Sequence, residues 1–178
     1  MTLHFEDLSR VRRRRLFALL GTEWSATGTA WLCLPFFFSI GLLLAALSGE
    51  GTDAARLLSG SAVFGGLVLA LTCVHSLGHT IGGRMAGSPG REVIVTATFH
   101  ICRHRCDPVV CTRSGHLTRA LGGPVANLLT GAVALAIIPW TDWSWLTFTG
   151  WASLLVAAFT LLPIPGLDGG AIRRAMKT

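Results

Sequence analysis

Two histidines, His75 and His79, lie four residues apart in an apolar stretch that reads Val-His-Ser-Leu-Gly-His. Residues at this spacing lie on one face of an α-helix, so both imidazoles can approach the same metal ion. A lone aspartate, Asp168, follows another apolar stretch near the C-terminus. Two imidazoles and one carboxylate leave a fourth position of tetrahedral zinc open, which is typical of catalytic zinc sites. The pattern therefore predicts that these three residues bind Zn²⁺.

The composition indicates a membrane protein. Of the 178 residues, 51% are hydrophobic and 13% are charged, and the mean hydropathy is +0.58. Soluble domains carry about 25% charged residues, so this chain has about half the usual share. A formal net charge of +6 raises nucleic-acid binding as an alternative, but the charges cluster beside apolar stretches, where they act as topology signals. We therefore expect a lipid bilayer, and no nucleic acid, as a partner.

Four apolar stretches are long enough to cross a bilayer, which takes about 20 residues each. The sequence predicts an all-α polytopic membrane protein with four transmembrane helices at roughly 28–47, 58–82, 120–139 and 145–162. These helices form a predicted membrane domain over residues 28–170. A basic segment, 1–27, precedes this domain, a loop at 83–119 divides it, and a tail at 171–178 follows it.

Basic residues lie almost entirely on one side of the predicted helices. The basic segment, the loop at 83–119 and the tail hold 14 of the 15 Lys and Arg residues, and the two short loops hold only Arg56. Positive loops face the cytoplasm, so both termini and the long loop are predicted to be cytoplasmic. His75, His79 and Asp168 then lie at one depth. This agreement favours a metal site over the alternative that the histidines are polar packing residues.

The loop at 83–119 combines strand-forming residues with further metal-binding side chains. Residues 92–99 are rich in β-branched types and Asp107-Pro108 is a turn signal, so we expect a small β-hairpin over about 93–111. Alternate residues of a strand share one face, which would gather ligands suited to zinc or another soft metal. This candidate second metal site comprises His100, Cys102, His104, Cys106 and Cys111. The alternative is a set of reduced thiols in the cytoplasm.

Three motifs follow one another along the predicted membrane domain. His-Ser-Leu-Gly-His at 75–79 precedes Gly-Gly-Pro-Val-Ala-Asn at 122–127 and Leu-Leu-Pro-Ile-Pro-Gly-Leu-Asp-Gly-Gly at 161–170. Their order and spacing resemble the site-2 protease family of intramembrane zinc metalloproteases. The resemblance implies a core of three membrane helices and the cleavage of membrane-anchored substrates, often to release regulators. It also implies an active site with three zinc ligands and a nearby amide, namely His75, His79, Asp168 and Asn127.

Two residues depart from the pattern of that family. Where the family has a glutamate that deprotonates the zinc-bound water, this chain has Ser76. A serine hydroxyl is not a base near neutral pH, and the loss of a positioned general base lowers the rate by about 10²- to 10⁴-fold. Thr160 stands where the family usually has asparagine. Glu92 is not an obvious substitute for the glutamate, because we expect it to be solvated in the cytoplasmic loop.

The sequence thus predicts a zinc-binding, site-2-protease-like protein that lacks the usual general base. We expect a pseudoprotease or a weakly active protease that binds membrane-spanning protein or peptide segments. Two alternatives stay open: an active intramembrane metalloprotease that cleaves membrane-anchored regulators, and a membrane metal or redox sensor that uses the Cys/His face of the loop. The short chain and the absence of a recognisable signal peptide favour a prokaryotic inner membrane.

Overall fold

A computed structural model describes residues 11–47, 53–98, 100–104, 112–141 and 143–177, and helices dominate it. The α-helices of these residues are α1 (Cys33–Leu47), α2 (Ala54–Met85), α3 (Arg113–Ile137), α4 (Ser144–Thr160) and α5 (Asp168–Ala175). The strands of the same residues are β1 (Arg13–Leu19), β2 (Thr22–Thr27), β3 (Gly90–Val95) and β4 (His100–His104). The chain therefore combines a helical membrane part with one small sheet.

Three helical stretches of the described residues are long and apolar enough to cross a bilayer. They are Ala30–Leu47, Ala54–Met85 and Arg113–Trp140, with mean hydropathies of 2.2, 2.1 and 1.8. They indicate an integral membrane protein and correspond to the first three predicted membrane helices. The fourth corresponds to α4, an apolar helix of 17 residues, somewhat shorter than the usual span of about 20 residues. The orientation across the membrane stays a prediction.

Helices α2 and α3 pack closely because two glycines face each other. A Cβ atom on Gly78 would overlap the carbonyl group of Gly122, and a Cβ atom on Gly122 would overlap that of Gly78. Such small residues let membrane helices approach until their backbones touch. The contact lies within one turn of both His75 and His79, so it determines how α3 meets the candidate metal site.

The four strands form one sheet in the order β1-β2-β3-β4. β2 pairs with β3 in parallel, whereas β1–β2 and β3–β4 are antiparallel pairs. Parallel neighbours need a long crossover, which α1 and α2 provide here. Leu20 and Gly21 join β1 to β2 with positive φ values of 51° and 74°, as a two-residue hairpin turn requires. The basic segment at 1–27, whose strands were not predicted, thus forms half of the sheet.

The predicted hairpin in the long loop exists, but its turn lies earlier than expected. β3 ends at Val95 and β4 begins at His100, so the chain reverses well before Asp107-Pro108. The Thr96 hydroxyl accepts a hydrogen bond from the Thr98 amide, and such local bonds replace those of a strand ladder. The β-branched residues at 96 and 98 therefore favoured a longer strand than the one that forms. Asp107 and Pro108 lie outside the described residues.

Candidate metal centre

The two histidines project from the same face of α2. Their rings meet edge to face, with centroids 4.7 Å apart and an interplanar angle of 82°. Their Nε2 atoms are 3.0 Å apart. The spacing of four residues therefore brings together two nitrogen atoms that are suited to one ion, as the helical pattern predicted.

Asp168 reaches the histidines from the first residue of α5. Its Oδ2 atom is 3.1 Å from His75 Nε2, and its Oδ1 atom is 3.2 Å from His79 Nε2. The turn before α5 is tightly packed, because a Cβ atom on Gly169 would overlap the carbonyl group of Leu161. The absence of a side chain at this glycine lets the turn fold back from α4 and direct the carboxylate toward α2.

The separations of the three side chains fit a zinc ion. In the described part of the chain, His75, His79 and Asp168 form a cluster that could hold a metal ion, with candidate ligand atoms within 4.8 Å of one another. An ion bound at about 2.0–2.1 Å by tetrahedral ligands holds neighbouring ligand atoms about 3.3 Å apart. The two Nε2 atoms are 3.0 Å apart, and each lies 3.1 or 3.2 Å from a different oxygen of Asp168, which is close to this value. Three such ligands leave a coordination position for water or a substrate oxygen.

Outer hydrogen bonds orient both imidazoles. His79 Nδ1 is 2.8 Å from the backbone carbonyl of Arg119, so it donates its proton there and leaves the Nε2 lone pair facing the cluster. His75 Nδ1 is 3.3 Å from Asn127 Nδ2, while Asn127 Oδ1 is buried without a hydrogen-bond partner among the described residues. Turning the amide by 180° lets Oδ1 accept the proton of His75 Nδ1. The Nε2 lone pairs of both rings then face the position that an ion would occupy between them and Asp168.

Gly123 on α3 makes room for the histidine rings. A Cβ atom at this position would overlap Nε2 of both His75 and His79. Any side chain here would push the rings out of the arrangement that fits the ion. The glycine of the second motif is therefore part of the site through its lack of a side chain.

The histidines also stabilise the ionised form of Asp168. Burial opposes ionisation, but the hydrogen bonds with His75 and His79 outweigh it and lower the pKa of the carboxyl group to about 2. The group is therefore an anion at neutral pH, which is the form that binds a metal ion.

Ser76 is buried against β4. It is 1% exposed, and its Oγ atom donates to the Thr72 carbonyl at 3.0 Å. His100 Nδ1 lies 3.1 Å from the same oxygen. The position that resembles the family's glutamate is thus covered by a histidine from the sheet, a contact that the sequence pattern did not predict.

His100 and Cys102 both lie on the side of β4 that faces α2. Burial lowers the pKa of His100 to about 4; the Thr72 carbonyl opposes this shift and His75 adds to it. Burial raises the pKa of the Cys102 thiol to about 12, although the Ser76 hydroxyl opposes the shift. Both groups are neutral near pH 7. The side chain of His104, together with Cys106 and Cys111, lies outside the described residues, so the second metal site stays a prediction.

Glu92 is not the solvated side chain that was expected. Its carboxylate pairs with Arg13 at 2.7 Å and is 16% exposed, and it accepts a hydrogen bond from the Ser25 hydroxyl at 2.5 Å. The pairing of β2 with β3 buries it between these partners. Thr160 donates to the Ala157 carbonyl within its own helix at 3.1 Å, so its hydroxyl is engaged locally.

Comparison with known proteins supports the fold. No protein-family model and no curated protein matches the sequence. Among solved structures, the site-2 protease from Methanocaldococcus jannaschii superposes on this chain with a TM-score of 0.66. The alignment covers 93% of this chain and 72% of that chain, at 20% sequence identity. This chain has a site-2-protease-like fold. Within it, α2, α3 and α5 carry the residues that form the candidate metal centre.

Proposed function

We propose that this chain is a zinc-binding, site-2-protease-like membrane protein that binds membrane-spanning protein segments beside its metal centre. The observation that carries the proposal is the cluster of two Nε2 atoms 3.0 Å apart, with one Asp168 oxygen 3.1 Å from His75 and the other 3.2 Å from His79. Two imidazoles and one carboxylate are a ligand set of catalytic zinc sites. The backbone of Arg119 and the side chain of Asn127 would keep both rings in the ligating tautomer.

The depth of the site supports a membrane-embedded ligand. His79 and His75 precede Met85, the last residue of α2, by six and ten residues. At a rise of 1.5 Å per residue, the two side chains lie roughly 9 and 15 Å from the helix end. A peptide that reaches them must therefore enter the region of the apolar helices, which suits an extended part of a transmembrane segment.

The chemistry at the site is limited by Ser76. A bound zinc ion would supply a Lewis acid for a peptide carbonyl and lower the pKa of water. His75, His79 and Asp168 would hold it, and the backbone of the bound segment would be presented to it. Ser76 offers no carboxylate to accept a proton, so we expect proteolysis to be weakened by about 10²- to 10⁴-fold relative to a site with a general base. Binding, with slow cleavage at most, is the proposed activity.

Metal analysis tests the first half of the proposal. Protein purified in mild detergent should contain about one zinc per chain, and His75→Ala or Asp168→Ala should remove it. His116→Ala is the matched control, because this α3 histidine contacts the Arg119 guanidinium and should keep the zinc. A zinc-free wild-type protein that cannot be loaded with Zn²⁺ would overturn the proposal.

Peptide binding tests the second half. Fluorescently labelled transmembrane peptides should bind the zinc-loaded protein in lipid nanodiscs, as measured by fluorescence anisotropy. An unlabelled copy of the same peptide should compete for the site, whereas a water-soluble peptide of equal length should not. Equal binding of both kinds of peptide would contradict a site built for membrane segments.

A further inference from the structure

Strand β1, at one edge of the sheet, has one side that is turned toward the membrane helices. One row of paired residues crosses the sheet and comprises Arg14, Ala26, Val95 and His100. Paired residues of neighbouring strands point to the same side of a sheet, and His100 contacts Ser76 on α2. Arg14 therefore lies on the side of the sheet that faces α2.

The helix-facing side of β1 also carries two exposed apolar residues. Phe17 pairs with Trp24 after a bulge that shifts the register between residues 15 and 17. Its ring stacks on that of Trp24 with centroids 5.4 Å apart, and Trp24 in turn contacts His100. Leu19, two residues further along β1, lies on the same side. Because Phe17 and Leu19 are 50% and 40% exposed, this side of β1 is open to its surroundings.

The opposite side of β1 is polar, and its charges are paired. Arg13 forms an ion pair with Glu92 at 2.7 Å, and Arg15 lies 3.4 Å from Glu23. No ion pair joins Arg14 to another residue in the part of the chain that the structure describes. The strand thus has paired charges on one side, and an unpaired arginine beside apolar side chains on the other. Such a basic and apolar combination is typical of a surface that lies on a membrane.

Both ends of β1 are fixed close to membrane helices. At one end it pairs with Thr27, the last residue of β2, and the first apolar membrane stretch begins at Ala30, within about 11 Å of chain. At the other end, the Arg84 guanidinium near the end of α2 donates to the Leu20 carbonyl at 2.8 Å. Trp31 at the start of the apolar stretch is 70% exposed, as is common at membrane interfaces. These contacts place β1 at the boundary of the bilayer.

We propose that the helix-facing side of β1 binds anionic phospholipid headgroups, with Arg14 on the phosphate and with Phe17 and Leu19 in the apolar region beside it. A guanidinium group presents paired N–H donors that match the oxygens of a phosphate. The exposed Arg12, two residues earlier, adds positive charge. A peptide strand added to this edge would pair with the backbone of β1 instead and would leave the Arg14 side chain without a partner. The inference does not depend on the zinc site, and a zinc-free protein would leave it standing.

Photo-crosslinking in lipid nanodiscs tests this surface in the wild-type protein. The nanodiscs contain a trace of phosphatidylglycerol or phosphatidylcholine that carries a diazirine near the headgroup, and the labelled residues are mapped by mass spectrometry. Relative to labelling of α1, the anionic lipid should label residues 14–20 about 5-fold more than the zwitterionic lipid, because one arginine near the surface is worth about this factor. Excess unlabelled phosphatidylglycerol should compete, whereas phosphatidylcholine and glycerol 3-phosphate should not.

Two neighbouring arginines separate the two sides of the strand. Arg14→Gln should lower the labelling of β1 by phosphatidylglycerol about 5-fold, and Arg14→Lys should keep most of it, because the cation remains. Arg15→Gln is the matched control, since it removes the same charge from the opposite side, where an exposed ion pair contributes little. It should label as the wild type does, and all three variants should keep the wild-type circular dichroism spectrum.

Four results would each overturn the inference. Equal labelling by the two lipids would show no preference for an anion, and equal losses in Arg14→Gln and Arg15→Gln would show a diffuse attraction to charge. Displacement by glycerol 3-phosphate would indicate a site for soluble phosphates. Displacement by an added transmembrane peptide would indicate that β1 receives a peptide strand.

Discussion

The backbone carbonyl of Arg119 on α3 accepts a hydrogen bond from His79 Nδ1 on α2 at 2.8 Å. Helix α3 thus determines that His79, on α2, directs its Nε2 atom toward the candidate metal centre. Asn127 lies two turns further along α3, and its side-chain amide is 3.3 Å from His75 Nδ1; with the amide turned, its oxygen accepts the proton of that nitrogen. Helix α3 therefore orients both imidazoles, although it carries none of the three proposed ligands.

Loss of the Asn127 side chain should weaken zinc binding without abolishing it. Asn127→Ala removes the partner of His75 Nδ1, and the loss of such an outer partner typically lowers metal affinity about 10- to 100-fold. Competition with a chromogenic zinc chelator measures the change. Ser153→Ala is the control, since Ser153 is also 0% exposed but belongs to α4, which carries none of the proposed ligands. Unchanged affinity in Asn127→Ala would contradict the proposed orientation of His75.

A single methyl group at Gly123 should disrupt the metal centre. In Gly123→Ala the new Cβ atom overlaps the Nε2 atoms of both histidines, so we expect bound zinc to fall well below one per chain by elemental analysis. Gly66→Ala on α2 is the matched control, because no atom lies within 4 Å of a Cβ atom at that position. Full zinc occupancy in both variants would show that the rings have more space than the structure indicates.

Cys102 should react slowly with thiol reagents. Its pKa is raised from 9.0 to about 12, which lowers the thiolate fraction near neutral pH by about 1000-fold, and the thiolate is the reactive form. Treatment with N-ethylmaleimide followed by peptide mass spectrometry measures the labelling. Denaturation in dodecyl sulfate should restore the rate of an ordinary thiol. Rapid labelling of the folded protein would mean that β4 does not cover this residue.

Acid should destabilise the protein partly through His100. The ring has a pKa of about 4 when folded, below the ordinary value of 6.5, so the unfolded chain binds a proton first as the pH falls. The contribution of the neutral His100 ring to the free energy of unfolding is therefore fully present above about pH 6.5. It is lost progressively as the pH falls toward 4. Thermal unfolding in detergent at pH 7.5 and pH 5 should show a smaller decrease for His100→Gln than for the wild type. Because the other titrating groups are common to both proteins, equal decreases would contradict this contribution.

Local patterns were enough to predict the proposed ligands and the apolar helices. The spacing of His75 and His79 predicts that their rings lie side by side, because residues four apart in an α-helix share a face. Apolar stretches of about 20 residues predict membrane helices by length alone, although α4 is shorter than expected. Asp168 could be assigned to the same depth because basic loops indicate which ends of the helices lie together.

The strands near the N-terminus were beyond such reasoning. β2 pairs with β3 through residues that are far apart in the chain, such as Trp24 and Val93, and no local pattern specifies that partner. β1 also begins with three successive arginines at 13–15, so it lacks the alternation of apolar and polar residues that predicts a strand. The parallel pair forms because α1 and α2, which lie between the two strands in the chain, bring β3 back beside β2. This return depends on how the helices pack and not on the residues of either strand.

The sequence by itself determined which side chains can bind a metal ion and that a serine stands between the two histidines. Only the tertiary structure decided that His100 covers that serine. The contact depends on the turn between Val95 and His100, because shifting a strand by one residue moves every side chain to the opposite face. It also depends on how the sheet packs against α2, which is set by contacts distant in sequence rather than by residues 92–104 alone.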